Sequence, residues 1–185
     1  MNHAFKSTRV VFSVCILLGI SLFLGCPFQS TKSKLYGTWN LSLSVSNEEF
    51  QQLIKQPAQD GVEATFSLEG TQSYFKNGTY IKEGEMVLEF SYFGRAVPLR
   101  FYLNDTGEWR WNSDTEEIVA TTTEGVLTPL DDQTTAFVEN SPQMAADLKP
   151  AKGQVLTCRI LTLSEARIEL QENSSSFTYM LSKSI

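Results

Sequence analysis

The strongest constraint on the fold is an alternation of apolar and polar residues that recurs along most of the chain. Leu35, Trp39, Leu41, Leu43 and Val45 fall on odd positions, with Thr38, Asn40, Ser42, Ser44 and Ser46 between them. A period of two over such a length specifies a strand with one dry face. The pattern returns at Val62, Ala64, Phe66 and Leu68. It recurs at Met86, Leu88, Phe90 and Tyr92, then at Val97, Leu99, Phe101 and Leu103, and at Trp109 and Trp111. Further strand signals lie at 117–123, 125–130, 155–163, 167–171 and 177–181. Between the first two strands the period changes. Residues 47–55 place Phe50, Leu53 and Ile54 on one helical face behind an Asn47 cap, with Pro57 beyond. About eight to ten short strands in hairpin order, with one short N-terminal helix, predict a mainly β fold: a small antiparallel β-barrel, or a sandwich.

Turn chemistry orders these strands. Asn77-Gly78 is a two-residue hairpin signal, since both residues tolerate positive φ. Glu83-Gly84 marks another expected turn. Asp105-Thr106-Gly107 reads as a three-residue hairpin loop with Gly107 in the left-handed position, which sets Leu103 opposite Trp109 and Phe101 opposite Trp111. Residues 131–153 are polar, contain Pro142 and Pro150, and read as a long excursion with a helical stretch near 143–148; loops of such length are usually functional or mobile. The β-rich ending suggests exposed strand edges on which a partner strand could add.

The N-terminus has a different character. Lys6 and Arg9 precede an apolar run, Val10 to Leu24, of 15 residues. A membrane-crossing helix takes roughly 20, so this run suits an export signal. Leu22-Phe23-Leu24-Gly25-Cys26 resembles the lipobox read by the bacterial lipoprotein signal peptidase. That resemblance implies cleavage after residue 25, palmitate-type acylation of Cys26, a lipidated tether over 26–34 and a barrel domain over 35–185. It puts the protein in the bacterial cell envelope, facing the periplasm. Pro27 follows the cysteine where an Asp would signal inner-membrane retention, and the choice between inner and outer membrane stays open.

Composition narrows the chemistry. Without residues 1–25 the chain keeps 160 residues, 13 bases and 21 acids, a net charge of −8. Duplex binding depends on neutralising phosphates, so no nucleic-acid partner is expected. The one histidine is His3, inside the expected signal. The mature chain therefore lacks histidine-based triads, histidine metal sites and a histidine pH switch. It has no Gly-rich phosphate loop, paired-cysteine zinc pattern or G-x-S-x-G elbow. No enzyme, cofactor or metal is expected. Cys158 remains and reads as a buried structural thiol, with an intermolecular disulfide or a reactive thiol as the alternative.

Two further resemblances bear on function. Gly37-Thr38-Trp39 looks like the G-x-W of lipocalin-like barrels, whose Trp plugs the barrel end. The run Tyr74-Phe-Lys-Asn-Gly-Thr-Tyr80, with Asp105-Thr-Gly-Glu-Trp109 and Glu117-Ile-Val-Ala-Thr-Thr-Thr123, is similar to the ToxS family, over roughly Trp39 to Leu181. That similarity implies a periplasmic regulatory partner. It would dock on the periplasmic domain of a membrane-spanning transcription regulator, and either stabilise it or co-sense a small amphiphile such as a bile salt. The lipocalin-like alternative is a stand-alone carrier or sensor; a structural envelope lipoprotein is the third. Trp39, Phe66, Phe101, Trp109 and Trp111 are the candidate ligand-binding residues, with a core role as the competing assignment. Arg95, Arg100 and Arg110 are the cations nearest the aromatic strands, and Arg100 and Arg110 fall on the polar register.

Overall fold

The computed structural model of the chain describes residues 30–49, 62–92, 94–175 and 177–183. The expected export signal, Cys26 and the expected helix beyond Glu49 lie outside them. Two compact units divide between Ser33 and Lys34, and the second carries the sheet.

Eight strands form one closed antiparallel barrel in sequence order. They are β1 (Gly37–Val45), β2 (Val62–Tyr74), β3 (Thr79–Tyr92), β4 (Arg95–Asn112), β5 (Glu117–Pro129), β6 (Val155–Leu163), β7 (Arg167–Glu172) and β8 (Thr178–Ser182). Among the described residues, α1 (Thr31–Leu35) precedes β1, and α2 (Asp132–Asn140) and α3 (Pro142–Leu148) lie between β5 and β6. A closed sheet has no edges, and here β8 pairs with β7 on one side and with β1 on the other, through Asn40–Ser182, Leu41–Leu181 and Ser42–Met180. The exposed C-terminal strand edges expected from the sequence are therefore occupied.

The alternation in the sequence becomes the inside and outside of the barrel. In β4, Leu99, Phe101, Leu103, Asp105, Gly107 and Trp109 are all buried, while most residues between them are exposed. This unbroken run corrects the expected turn at Asp105-Thr106-Gly107. β4 passes straight through, bonded to β3 on one side and β5 on the other, so Leu103 is not opposite Trp109, nor Phe101 opposite Trp111. Both supposed turn residues have work inside the barrel. Asp105 has buried partners there, described below. Gly107 is an extended strand residue on which a Cβ would come within 2.7 Å of the Tyr80 ring. The turn expected at Glu83-Gly84 is likewise absent; β3 continues, and Gly84 pairs with Gly70 of β2. The two strand segments expected at 117–123 and 125–130 are one strand with a bulge. Thr106 pairs with Glu124 and Gly107 with Thr122, and the extra residue, Thr123, donates its hydroxyl to Thr106 O at 3.0 Å.

The Asn77-Gly78 hairpin is present in a longer form. Phe75 N–H bonds Thr79 O at 2.9 Å and Gly78 N–H bonds Phe75 O, leaving Lys76-Asn77-Gly78 as the loop, with Gly78 at φ +85°. Ser46 and Glu49 exchange hydrogen bonds, the Ser46 N–H reaching Glu49 Oε2 at 2.8 Å. This reciprocal cap opens a helical turn at residues 47–49, with Ser46 rather than Asn47 as the capping residue. The Asn47 side chain instead accepts from Ala64 N–H at 2.9 Å.

The excursion between β5 and β6 covers places where β4 and β5 outrun their neighbours. β5 stops pairing at Phe101, and α2 takes over there. Thr134, fully buried, accepts from Arg100 N–H at 2.9 Å; Gln133 donates to Pro98 O at 2.7 Å. Asp131 caps α2 by accepting from Thr134 N–H at 2.7 Å. Beyond α3, Gln154 O accepts from Thr122 N–H and Gly153 N–H bonds Thr122 O, so this segment occupies β5 where β6 has ended. Backbone groups that would be orphaned at the strand ends are thereby satisfied.

Candidate functional site: the barrel interior

One end of the interior is packed solid with aromatic rings. Trp39 is fully buried, and its indole N–H donates to Leu35 O at 3.0 Å. Lys183 Nζ lies 4.9 Å from the centre of its ring. Trp109 meets Tyr74 and Tyr36 with centroids 4.9 and 5.8 Å apart, and its N–H donates to Phe75 O. Both indole donors are thus satisfied, as buried Trp requires.

Further along, the filling stops and a cavity of about 330 Å³ opens. Its apolar wall includes Leu43, Phe66, Leu68, Met86, Leu103 and Phe177. Leu148, Lys149, Pro150 and Gln154 contribute from the end of α3 and the segment after it, so the long excursion forms part of the lining. This volume is at the lower end of those that hold small ligands, roughly 300–1,000 Å³.

The polar groups of the cavity come from β3, β4 and β5 on one side and from β7 and β8 on the other. Lys82 of β3 and Asp105 of β4 are direct cross-strand partners, with Lys82 Nζ 3.2 Å from Asp105 Oδ2 and both side chains nearly out of solvent. Tyr80 donates its hydroxyl to the other carboxylate oxygen, Asp105 Oδ1, at 2.9 Å. Its single proton is thereby used, so the Thr122 hydroxyl, 3.2 Å away, is the donor in their contact. Burial holds the Tyr80 phenol well above its ordinary range, with nearby Asp105 adding to the rise, so it stays a neutral donor. Across the cavity, Glu172 accepts from Ser174, from Ser175 at 2.7 Å and from Tyr179 at 3.3 Å. Burial raises the Tyr179 phenol strongly, and Glu172 adds to it. Cys158 lies deeper; burial pushes its thiol up to about 12, Glu172 reinforces this, and Lys82 opposes it.

The five aromatic candidates separate on this geometry. Phe66 lines the cavity. Trp39, Phe101 and Trp109 are buried core residues, and Trp111 is a half-buried neighbour of that core; none of these four lines the cavity. Trp109 and Phe101 do share the inner face of β4, as the odd register predicts. Arg95, Arg100 and Arg110 are exposed, and Arg100 pairs with Glu85 at 2.7 Å. The interior cation is Lys82. Lys82, Asp105, Tyr80, Thr122 and Glu172 were not singled out from the sequence, although the first two carry a usable signal. Lys82 is in register with Met86, Leu88 and Phe90, and Asp105 with Phe101 and Trp109.

Chemically, the arrangement offers an apolar wall with a few fixed donors and acceptors. Among the described residues no group of three or more His, Cys, Asp or Glu could hold a metal ion. No family model matches this chain, and no curated protein sequence matches it.

Proposed function

We propose that this chain is a non-catalytic lipoprotein of the bacterial cell envelope, held on a membrane through lipid on Cys26, whose barrel takes a small amphiphile into its interior. The observation that supports this reading is the cavity itself. It is apolar over most of its wall and holds one buried ion pair, the combination by which ligand sites fix orientation. The test is native mass spectrometry of the protein extracted gently from its own membrane. A bound small amphiphile and a diacylated residue 26 are expected. An empty barrel together with an intact residue 1 would overturn the reading.

A second reading makes the barrel the ToxS-like partner of a membrane regulator. Tyr102 and Val126 favour it. They are large, exposed, and diagonal neighbours on the outer face of β4 and β5, where a docking protein could cover them. A ligand inside would then shift the pair's equilibrium only by binding the paired state more tightly. Cross-linking in intact cells separates the two readings. Capture of a regulator that Tyr102→Glu abolishes supports pairing; a monomer that carries its amphiphile alone leaves the carrier.

A further inference from the structure

We infer that the cavity selects an amphiphile with an uncharged, hydrogen-bond-accepting head, such as an alcohol or an ester or amide carbonyl, over carboxylate and ammonium heads. The inference rests on the reading of the cavity as a ligand site and goes beyond it by naming the ligand's head group.

The argument is an account of donors, acceptors and charge. The two interior carboxylates are already served by the protein. Asp105 Oδ1 accepts from Tyr80 and Oδ2 faces Lys82. Glu172 Oε1 accepts from Ser174, and Oε2 from Ser175 and Tyr179. Each of these carboxylate oxygens already accepts from a protein donor, so a ligand cation would compete with those donors and lie beside the Lys82 ammonium. The Lys82 ammonium is in the opposite situation. It has three N–H bonds, and among the described residues Asp105 is the acceptor it meets. What the site offers an incoming head is therefore N–H, so the head must accept.

Charge then separates the two kinds of acceptor. The titratable side chains on the wall are Lys82, Asp105 and Glu172, with Asp147 and Lys149 contributed from α3 and just beyond it, besides the two phenols. With Tyr80 and Tyr179 held neutral, these sum to one negative charge. An anionic head would add a second negative charge in a medium that screens poorly, beside a lysine whose charge Asp105 already balances. A hydroxyl or carbonyl oxygen takes the free N–H without adding charge. The apolar wall of Leu43, Phe66, Leu68 and Met86 receives the tail.

The experiment uses the full chain in phosphatidylcholine vesicles and three photoreactive probes. They share one decyl diazirine tail and differ in the head: hydroxyl, carboxylate or trimethylammonium. Irradiation is followed by peptide mapping of the adducts. The hydroxyl probe should label the peptides holding Phe66 and Met86 about tenfold more than either charged probe, the scale of one charge-assisted hydrogen bond. In the double variant Lys82→Met with Asp105→Leu, labelling should persist while the preference for hydroxyl disappears. Equal or stronger labelling by the carboxylate or ammonium probe overturns the head-group inference and leaves the cavity as a ligand site. A preference that survives in the double variant also overturns it. No adduct at the cavity with any probe overturns the ligand-site reading itself.

Discussion

Lys82 and Asp105 face each other across β3 and β4 inside the barrel, with their charges 3.2 Å apart. Removing one member of a buried pair strands the other charge, which typically destabilises by about 3–5 kcal/mol; replacing both with apolar residues of similar volume is often neutral or stabilising. Lys82→Met should therefore lower stability by that amount, while Lys82→Met with Asp105→Leu should restore most or all of it. Urea titrations of the three proteins decide this. A double variant no more stable than the single one would show that the pair is needed for folding itself.

A second expectation concerns Gly70 and Gly84, which pair on β2 and β3. A Cβ on Gly70 would lie 2.5 Å from Gly84 Cα, and one on Gly84 would lie 2.7 Å from Gly70 Cα. Both would also run into the backbone carbonyl of the neighbouring strand. Neither glycine has positive φ, so their role is close approach of strands rather than a left-handed turn. Gly84→Ala should destabilise by about 1–3 kcal/mol, the range for overpacking, and Gly70→Ala similarly. Thermal melts showing no loss for either variant would contradict the close approach.

These two features also explain what was legible in the sequence. The strands could be read because alternation survives wherever the inner residue is apolar: β6, β7 and β8 fall where the signals placed them. β1 does so from Gly37 onward, while Leu35 instead ends α1, and β2 does so to Leu68 but runs on to Tyr74. The pattern fails where the inner face carries charge or glycine. Lys82 and Gly84 are successive inner residues of β3, as Asp105 and Gly107 are of β4. Polar residues beside glycine have the composition of a turn, so Glu83-Gly84 and Asp105-Thr106-Gly107 both read as chain reversals. The same misreading hid the ion pair, because cutting each strand at that point removes Lys82 and Asp105 from the inner register. No local feature could place Thr122 or Glu172 beside them: Thr122 arrives through the β4–β5 register, and Glu172 only when the sheet closes. The aromatic residues gave the inner face of β4 correctly but, Phe66 apart, not the cavity. Ring size marks burial, and here Trp39 and Trp109 belong to the end that is packed solid while Phe101 is buried in the core.

Cys158 should be inert while the protein is folded. Only the thiolate reacts, and burial raises this thiol from 9.0 to about 12. Iodoacetamide at neutral pH should label it slowly in the native protein and rapidly in urea. A raised pKa also fixes a sign. The folded state prefers the protonated thiol, so its contribution is fully present below pH 9.0 and is lost as pH rises towards about 12. Native labelling as fast as in urea would contradict the burial.

Acid should act with the opposite sign. Hydrogen bonds from Thr134 hold Asp131 below 3.8, and those from Thr115 and Asn173 hold Glu117 below 4.5. A lowered pKa contributes stability above the unfolded value that is lost as pH falls through the folded one. Melting temperature should therefore fall at pH values below these. It should stay nearly level between about pH 6 and 8, since the only histidine is His3. Asn is also a good cap, so Asp131→Asn should keep α2 while weakening the acid response. An Asp131→Asn variant with the full response would place its origin elsewhere.

The last expectation separates core from cavity by comparing two aromatic truncations. Trp109 is buried, packed edge-on against Tyr36 and tilted against Tyr74, and tied to Phe75 O through its indole. Truncating such a ring costs about 3–5 kcal/mol, through lost burial and the void left behind. That is a large part of the stability of any single domain, so Trp109→Ala should unfold or aggregate. Phe66 is only half-buried, and one side of it faces the cavity. Its truncation enlarges a space that already exists, so Phe66→Ala should fold with a smaller loss and change which amphiphiles bind. Circular dichroism and probe labelling, measured on both variants, test the two halves together. If Trp109→Ala folds normally, the aromatic end is not the keystone of the core. If Phe66→Ala unfolds as readily as Trp109→Ala, the cavity wall is core like the rest.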